Sequence, residues 1–186
     1  MRVISGKARG TKIYTLDEKI TRPTLDRVKE SIFNIIQSKI QDCIFLDLFA
    51  GSGAIGIEAA SRGAEKVILC DKSKDAIQII NQNLEKTHLK EKAEVFNQDY
   101  LVCLEKLHEI KQKLDIIYID PPYALNLIEN SINKILDMEN INEDTLIILE
   151  TDDDERILNF LNSKTKLNIL DQRKYGRAYI IFITKN

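Results

Sequence analysis

The chain alternates between two hydrophobic rhythms. Short runs of β-branched and aromatic residues read as buried strands, and between them apolar positions recur every three or four residues, as on one face of a helix. Strands are expected at 43–49, 66–71, 93–97, 115–120 and 145–150. Helices are expected at 54–62, ended by Gly63, from Lys74 to about Thr87, and through Leu101, Leu104 and Leu107. Two more are marked by Leu127, Ile128, Ile132, Ile135 and Leu136, and by Ile157, Leu158 and Leu161. Upstream, residues 2–5 and 11–16 are strand-like around a connection bounded by Gly6 and Gly10, which predicts a hairpin with a basic tip in solvent. Leu25, Val28, Ile32, Ile35 and Ile36 predict an amphipathic helix over 25–38. Strand-like stretches at 167–173 and 177–184 flank Tyr175-Gly176 with no helix between them, so this pair should be antiparallel. The pattern as a whole predicts an α/β fold: a doubly wound, mostly parallel sheet with an antiparallel final strand, preceded by a small hairpin and helix.

A length of 186 residues suits one domain, with 1–40 as the hairpin and helix and 41–186 as the core. Hydrophobic residues make up 44% and charged residues 30%, as in a globular protein that needs no membrane. No apolar run approaches the ~20 residues that span a bilayer, and Met1–Lys7 lacks the apolar centre of a signal peptide. Cys43, Cys70 and Cys103 are odd in number and without metal-ligand spacing. They predict buried thiols in a reducing, cytoplasmic compartment and no metal site. His88 and His108 are expected at the surface, and Asp152, Asp153, Asp154 and Glu155 at a helix amino terminus. The net charge of −2 hides an asymmetry: residues 1–15 hold Arg2, Lys7, Arg9 and Lys12 and no acid, a patch suited to phosphates.

Ligands of parallel sheets lie beyond the strands' carboxyl ends, near the point where strand order reverses. Asp47, Asp71, Asn97–Asp99 and Asp120 all fall at or just past such ends. The loop Phe49-Ala50-Gly51-Ser52-Gly53 continues to Gly56 as G-x-G-x-x-G between a strand and a helix. Alone it fits a dinucleotide, with Asp71 on a ribose. Asp47, just ahead of the loop, is poorly placed for a pyrophosphate and well placed for an ammonium or sulfonium. S-adenosylmethionine satisfies both features. Its amino-acid part would lie over the loop, its ribose at Asp71 and the adjoining Lys72, and its adenine at Asp99 and the adjoining Tyr100. Asp99 also suits a helix N-cap. At Asp120-Pro121-Pro122-Tyr123, two prolines stop the strand and group a carboxylate, a carbonyl and a ring. Such a group suits gripping a flat molecule that carries an amine.

These motifs resemble those of the class I S-adenosylmethionine-dependent methyltransferases, whose fold is Rossmann-like. More narrowly, the chain is similar to the bacterial family that methylates the exocyclic N2 of a guanine in 16S ribosomal RNA. That similarity rests on R-V-I-S-G-K-A-R-G at 2–10, T-R-P-T at 21–24, Glu30–Asn34, residues 46–63 and Tyr175-Gly176. It covers nearly the whole chain. Asp71 stands where the family more often has Glu, one methylene further from a ribose.

The resemblance implies a cytoplasmic, monomeric enzyme acting on ribosomal RNA in an assembling or assembled small subunit. Asp120 and the Pro121 carbonyl would hold the two N–H hydrogens of the amine, Pro122 would keep the turn rigid, and Tyr123 would stack on an unpaired base. By the same resemblance Thr24 and Arg22 would lie near the donor's methionine end and the target base; Thr24 also reads as a helix N-cap. Lys7, Arg9 and Lys12 would contact RNA. Three rival readings share parts of the pattern. They are an adenine-N6 methyltransferase, a non-catalytic donor- or RNA-binding module, and a nicotinamide oxidoreductase, for which no hydride-transfer constellation is present.

Overall fold

The computed structural model describes the backbone of residues 1–16, 23–122 and 126–186, and the side chains of all of these except 23–25. Among them, seven strands form one sheet: β1 (Ile44–Asp47), β2 (Lys66–Asp71), β3 (Ala93–Asn97), β4 (Ile116–Ile119), β5 (Leu146–Thr151), β6 (Leu167–Tyr175) and β7 (Ala178–Lys185). Their order is β3-β2-β1-β4-β5-β7-β6. The first five are parallel, β7 is antiparallel to β5, and β6 is antiparallel to β7.

Both faces of the sheet are covered, and alternate residues of one strand serve opposite faces. Phe45, Val67, Leu69 and Ile116 pack with Val28, Ile32, Ile57 and Ile80 from α1 (Pro23–Ile35), α3 (Ala54–Arg62) and α4 (Lys74–Thr87). Leu46, Ile68, Ile117 and Ile147 pack on the other face with Leu104, Leu107, Ile132 and Ile157. These come from α5 (Tyr100–Glu109), α6 (Leu127–Leu136) and α7 (Asp154–Asn162). Helix starts follow local chemistry. The Ser73, Asp99 and Asp153 side chains accept from backbone N–H groups in the first turns of α4, α5 and α7.

The amino-terminal third differs from the periodicity reading in three ways. The expected hairpin forms, with Val3 N–H donating to the Thr11 carbonyl, Gly10 N–H to the Val3 carbonyl and Ile13 N–H to the Met1 carbonyl, but its strands at 2–5 and 11–16 shorten to a bridge at Arg2 and Lys12. The helix expected over 25–38 divides at Ile36 into α1 and a short α2 (Gln37–Ile40). It also begins at Pro23, so Thr24 lies in the first turn and not at the cap. Lys7, Arg9 and Lys12 are exposed as expected, yet the tip between them is anchored. Lys7 N–H donates to the Ser61 carbonyl at 2.8 Å and Ala8 N–H to Ser61 Oγ at 3.0 Å, while Ser61 Oγ donates to the Ser5 carbonyl at 2.6 Å. A Cβ on Gly6 would sit 1.9 Å from the Ser61 carbonyl oxygen, so only glycine allows this seat. The three cysteines are buried, His88 is exposed, and His108 is half-buried with its ring on Asn140.

Candidate active site

Strand order reverses at β1, which lies between β2 and β4. Beyond the carboxyl ends of β1 and β4 lies a cavity of about 230 Å³. Asp47, Phe49, Ala50, Gly51 and Ser52 line it from the β1 side, Tyr118 and Asp120 from β4, and Glu150 from the end of β5. Val28, Lys29 and Ile32 of α1, together with Met1, close it from above the sheet. A second cavity of about 160 Å³ lies against Asp120, Pro121, Pro122 and Glu150 on the side of α6 and α7. Asp120 and Glu150 line both.

The loop after β1 is held from three directions. Leu48 N–H donates to the Tyr118 carbonyl and Ala50 N–H to the Cys70 carbonyl, which tie it to β4 and β2. Gly51 N–H donates to Asp71 Oδ2 at 2.9 Å, and Ser73 N–H to Asp71 Oδ1 at 2.8 Å. Asp71 therefore sets the loop's shape besides standing at the end of β2. Asn83 of α4, fully buried, donates to the Ser52 carbonyl and exchanges hydrogen bonds with the Tyr14 backbone. At Gly56 a Cβ would lie 2.3 Å from Leu69 Cδ2, so the third glycine of the pattern lets α3 pack on β2.

Asp47 is 2% exposed and accepts a hydrogen bond from Gly56 N–H at 3.1 Å. Burial, aided by the charge of Asp71 and opposed by that hydrogen bond, pushes its carboxyl up to about 7. A buried carboxylate beside a cavity is relieved by a cation placed in that cavity, which is what an ammonium group would supply. Asp120 is also raised well above the carboxylate range, first by surrounding protein and then by the charges of Glu150 and Asp47. Its access to solvent at the mouth of the cleft tempers the burial contribution. The Tyr118 hydroxyl, buried, donates to Glu150 Oε2. Burial raises the Glu150 carboxyl and this hydrogen bond opposes the shift.

The other residues singled out in the sequence spread along the same sheet edge. Tyr100 packs under Phe49 with ring centroids 5.1 Å apart. Asp99 is exposed and accepts from Leu101 N–H at 3.0 Å as the cap of α5, and Lys72 is exposed beyond β2. Gly53 ends the loop in a left-handed conformation at the N-cap of α3 and is buried. Arg22 and Tyr123 lie outside the described residues, and of Thr24 only the backbone is described.

The family description "Conserved hypothetical protein 95" matches residues 1–184. The chain belongs to this family. Its relatives carry methyltransferase names. "Putative rRNA methyltransferase YlbH" of Bacillus subtilis is 39% identical over 152 residues, covering 82% of this chain and 83% of that protein. "Ribosomal RNA small subunit methyltransferase D" of Haemophilus influenzae is 36% identical over 159 residues, covering 85% of this chain and 82% of the relative. Among solved structures, "Putative methyltransferase yhhF from Escherichia coli" superposes with a TM-score of 0.82 at 28% identity, over 100% of this chain and 98% of that one.

In this member of the family, residues missed by sequence reasoning complete the cleft. Glu150 is an acid at the end of a fifth strand, the same signal that singled out Asp47, Asp71 and Asp120, so the pattern extended one strand further. Tyr118 and Lys29 carried no such signal: Tyr118 sits in an apolar strand, and Lys29 lies among the charged residues Asp26, Arg27 and Glu30 of a helix. Lys29 is 2% exposed, donates to the Arg2 carbonyl at 2.6 Å, and pairs with the fully buried Glu58 at 3.1 Å. Burial lowers its pKa and Glu58 opposes that shift. Glu58 also accepts from Ile4 N–H, Ser5 N–H and Arg62 Nε. The helix that follows the glycine loop, the first helix and the basic amino-terminal segment are thereby parts of one hydrogen-bonded assembly.

Proposed function

We propose that this chain transfers a methyl group from S-adenosylmethionine to the exocyclic N2 of a guanine in 16S ribosomal RNA of the small subunit. One observation carries the reading. Asp120, just past the end of β4, lines one cavity with Asp47 and the glycine loop at the end of β1, and also lines the adjoining cavity against Pro121 and Pro122.

Asp47 and the loop Phe49–Gly53 would hold the donor's amino-acid part, with Thr24 nearby, while Asp71 with Lys72 and Asp99 with Tyr100 would serve its ribose and adenine. When bound, the donor supplies an electrophilic methyl group on a sulfonium. The chain's own residues supply orientation. The lone pair of a guanine amine is delocalised into its ring, which makes it a poor nucleophile. Asp120 and the Pro121 carbonyl would each accept one of its hydrogens, turning the nitrogen towards tetrahedral geometry and its lone pair towards the donor. Pro122 would keep the chain rigid after Pro121, and Tyr123 would fix the plane of the base. Asp120 is also placed to take the departing proton. Holding two reactants in a near-attack geometry contributes ~7–11 kcal/mol in favourable cases, so positioning of this kind supplies most of the catalysis.

On this reading 1–186 acts as one domain and as a monomer in the cytoplasm, with 41–186 binding the donor and 1–40 contacting RNA of an assembling or assembled subunit. Lys7, Arg9 and Lys12 would meet phosphates, and Arg22 the region of the target base. Removing the three charges together should weaken RNA binding and reduce the slope of log K against log salt by up to about 3, at most one for each phosphate left unneutralised. A slope equal to that of the parent protein would exclude the patch from RNA contact.

The reading itself is tested by tritiated methyl transfer into 16S RNA and into small subunits from cells lacking this gene, followed by nucleoside identification. N2-methylguanosine is the expected product. N6-methyladenosine would replace the guanine reading with the adenine one, and no transfer to either substrate would favour a binding module.

A further inference from the structure

Glu150 has no part in the chemistry given above, yet it is placed beside its centre. In the β4–β5 register Ile119 pairs with Leu149, so the next positions, Asp120 and Glu150, stand at adjacent strand ends. Neighbouring strands are about 4.8 Å apart, a spacing that brings two carboxylates to the same edge of one purine. Both residues line both cavities. We propose that Glu150 is a specificity-determining residue whose carboxylate accepts the N1–H of the target guanine while Asp120 accepts a hydrogen of its N2 amine.

The inference rests on the guanine-N2 reading and adds how guanine is told from adenine. The Tyr118 hydroxyl donates to Glu150 Oε2, which orients the carboxylate, opposes the rise that burial imposes on it and leaves Oε1 for a ligand. An ionised carboxylate can only accept. The Watson–Crick edge of guanine offers adjacent donors at N1 and N2, matching two adjacent acceptors. Adenine offers a donor at N6 and a lone pair at N1, which would face a carboxylate unpaired and repelled. Among the described residues no cation neutralises this pair. Arg156, which lines the second cavity, is already engaged by Glu129 and Asp153.

The test uses an RNA fragment carrying the methylated guanosine and a second fragment with 2-aminopurine there. The analogue keeps the N2 amine and lacks the N1–H. The full-length protein should favour guanosine by roughly 100-fold in kcat/KM, the order expected for the loss of one hydrogen bond to a charged group. Glu150→Gln should compress that ratio to below about tenfold, mainly by loss on guanosine. Tyr118→Phe, which removes the orienting hydroxyl, should compress it in the same direction and serves if the first variant is unstable. Equal loss on both fragments, leaving the ratio unchanged, would overturn the proposal. So would a wild-type ratio near one. A main effect on S-adenosylhomocysteine affinity in calorimetry would assign Glu150 to the donor and overturn it too. Failure of the guanine-N2 reading looks different, because the methylated nucleoside would then not be N2-methylguanosine.

Discussion

Replacing Asp120 by alanine should lower kcat for methyl transfer by about 1000-fold or more while leaving donor affinity within several-fold of the parent. The size follows from the role. Removing a single preorganised hydrogen-bonding group from a reacting centre costs on the order of 10²–10³ in kcat, and Asp120 would combine amine orientation with acceptance of a proton. The donor's predicted anchor, Asp47, and its loop stay intact in this variant. Stability should not fall with activity. Asp120 is one of three carboxylates around the cleft and is raised well above its ordinary pKa by burial and then by Glu150 and Asp47. Deleting it removes that repulsion, so the melting temperature should hold or rise. Loss of turnover with an unchanged melting curve separates a chemical role from a structural one. Turnover within tenfold of the parent would refute the assignment of Asp120.

The second large effect is expected far from the reacting groups. Glu58→Ala should destabilise the protein by about 3–5 kcal/mol, the usual cost of removing one partner of a buried ion pair. For a chain of this size that lowers the melting temperature by roughly 10 °C. Glu58 is fully buried and accepts from Ile4 N–H at 2.8 Å, Ser5 N–H at 3.0 Å, Lys29 Nζ at 3.1 Å and Arg62 Nε at 2.7 Å. Its loss strands the Lys29 ammonium, whose pKa burial already lowers, and two backbone donors of the amino-terminal segment. Because that segment carries Lys7 and Arg9, RNA affinity should fall along with stability. Equilibrium unfolding in urea measures the first effect and binding at fixed salt the second. A midpoint shift worth less than about 1 kcal/mol would show that the network contributes little beyond packing.

This network also gives a physical reason for the association of two distant sequence blocks. R-V-I-S-G-K-A-R-G at 2–10 and G-I-E-A-A-S-R-G at 56–63 touch through Glu58, Ser61 and Gly6. Read along the chain, the first block is only a basic turn and the second only a helix. Their pairing was invisible because hydrogen bonds between residues more than 50 positions apart leave no periodic trace.

The sequence by itself determined the elements and the edge where chemistry gathers. Continuous apolar runs follow from burying both faces of a strand, and stripes of period 3.6 from burying one face of a helix, so 44–47, 66–71, 93–97, 116–119 and 146–151 were legible. Acids placed at strand ends were legible as well, since a parallel sheet sends all its carboxyl ends to one side. Tertiary structure alone decided what those acids face. It inserted β7 between β5 and β6, brought Glu150 beside Asp120, and turned the Tyr118 hydroxyl onto Glu150. It also seated the expected hairpin on α3. Strand order, register and buried polar pairing depend on which surfaces meet, and local propensity carries no information about residues far away in the chain.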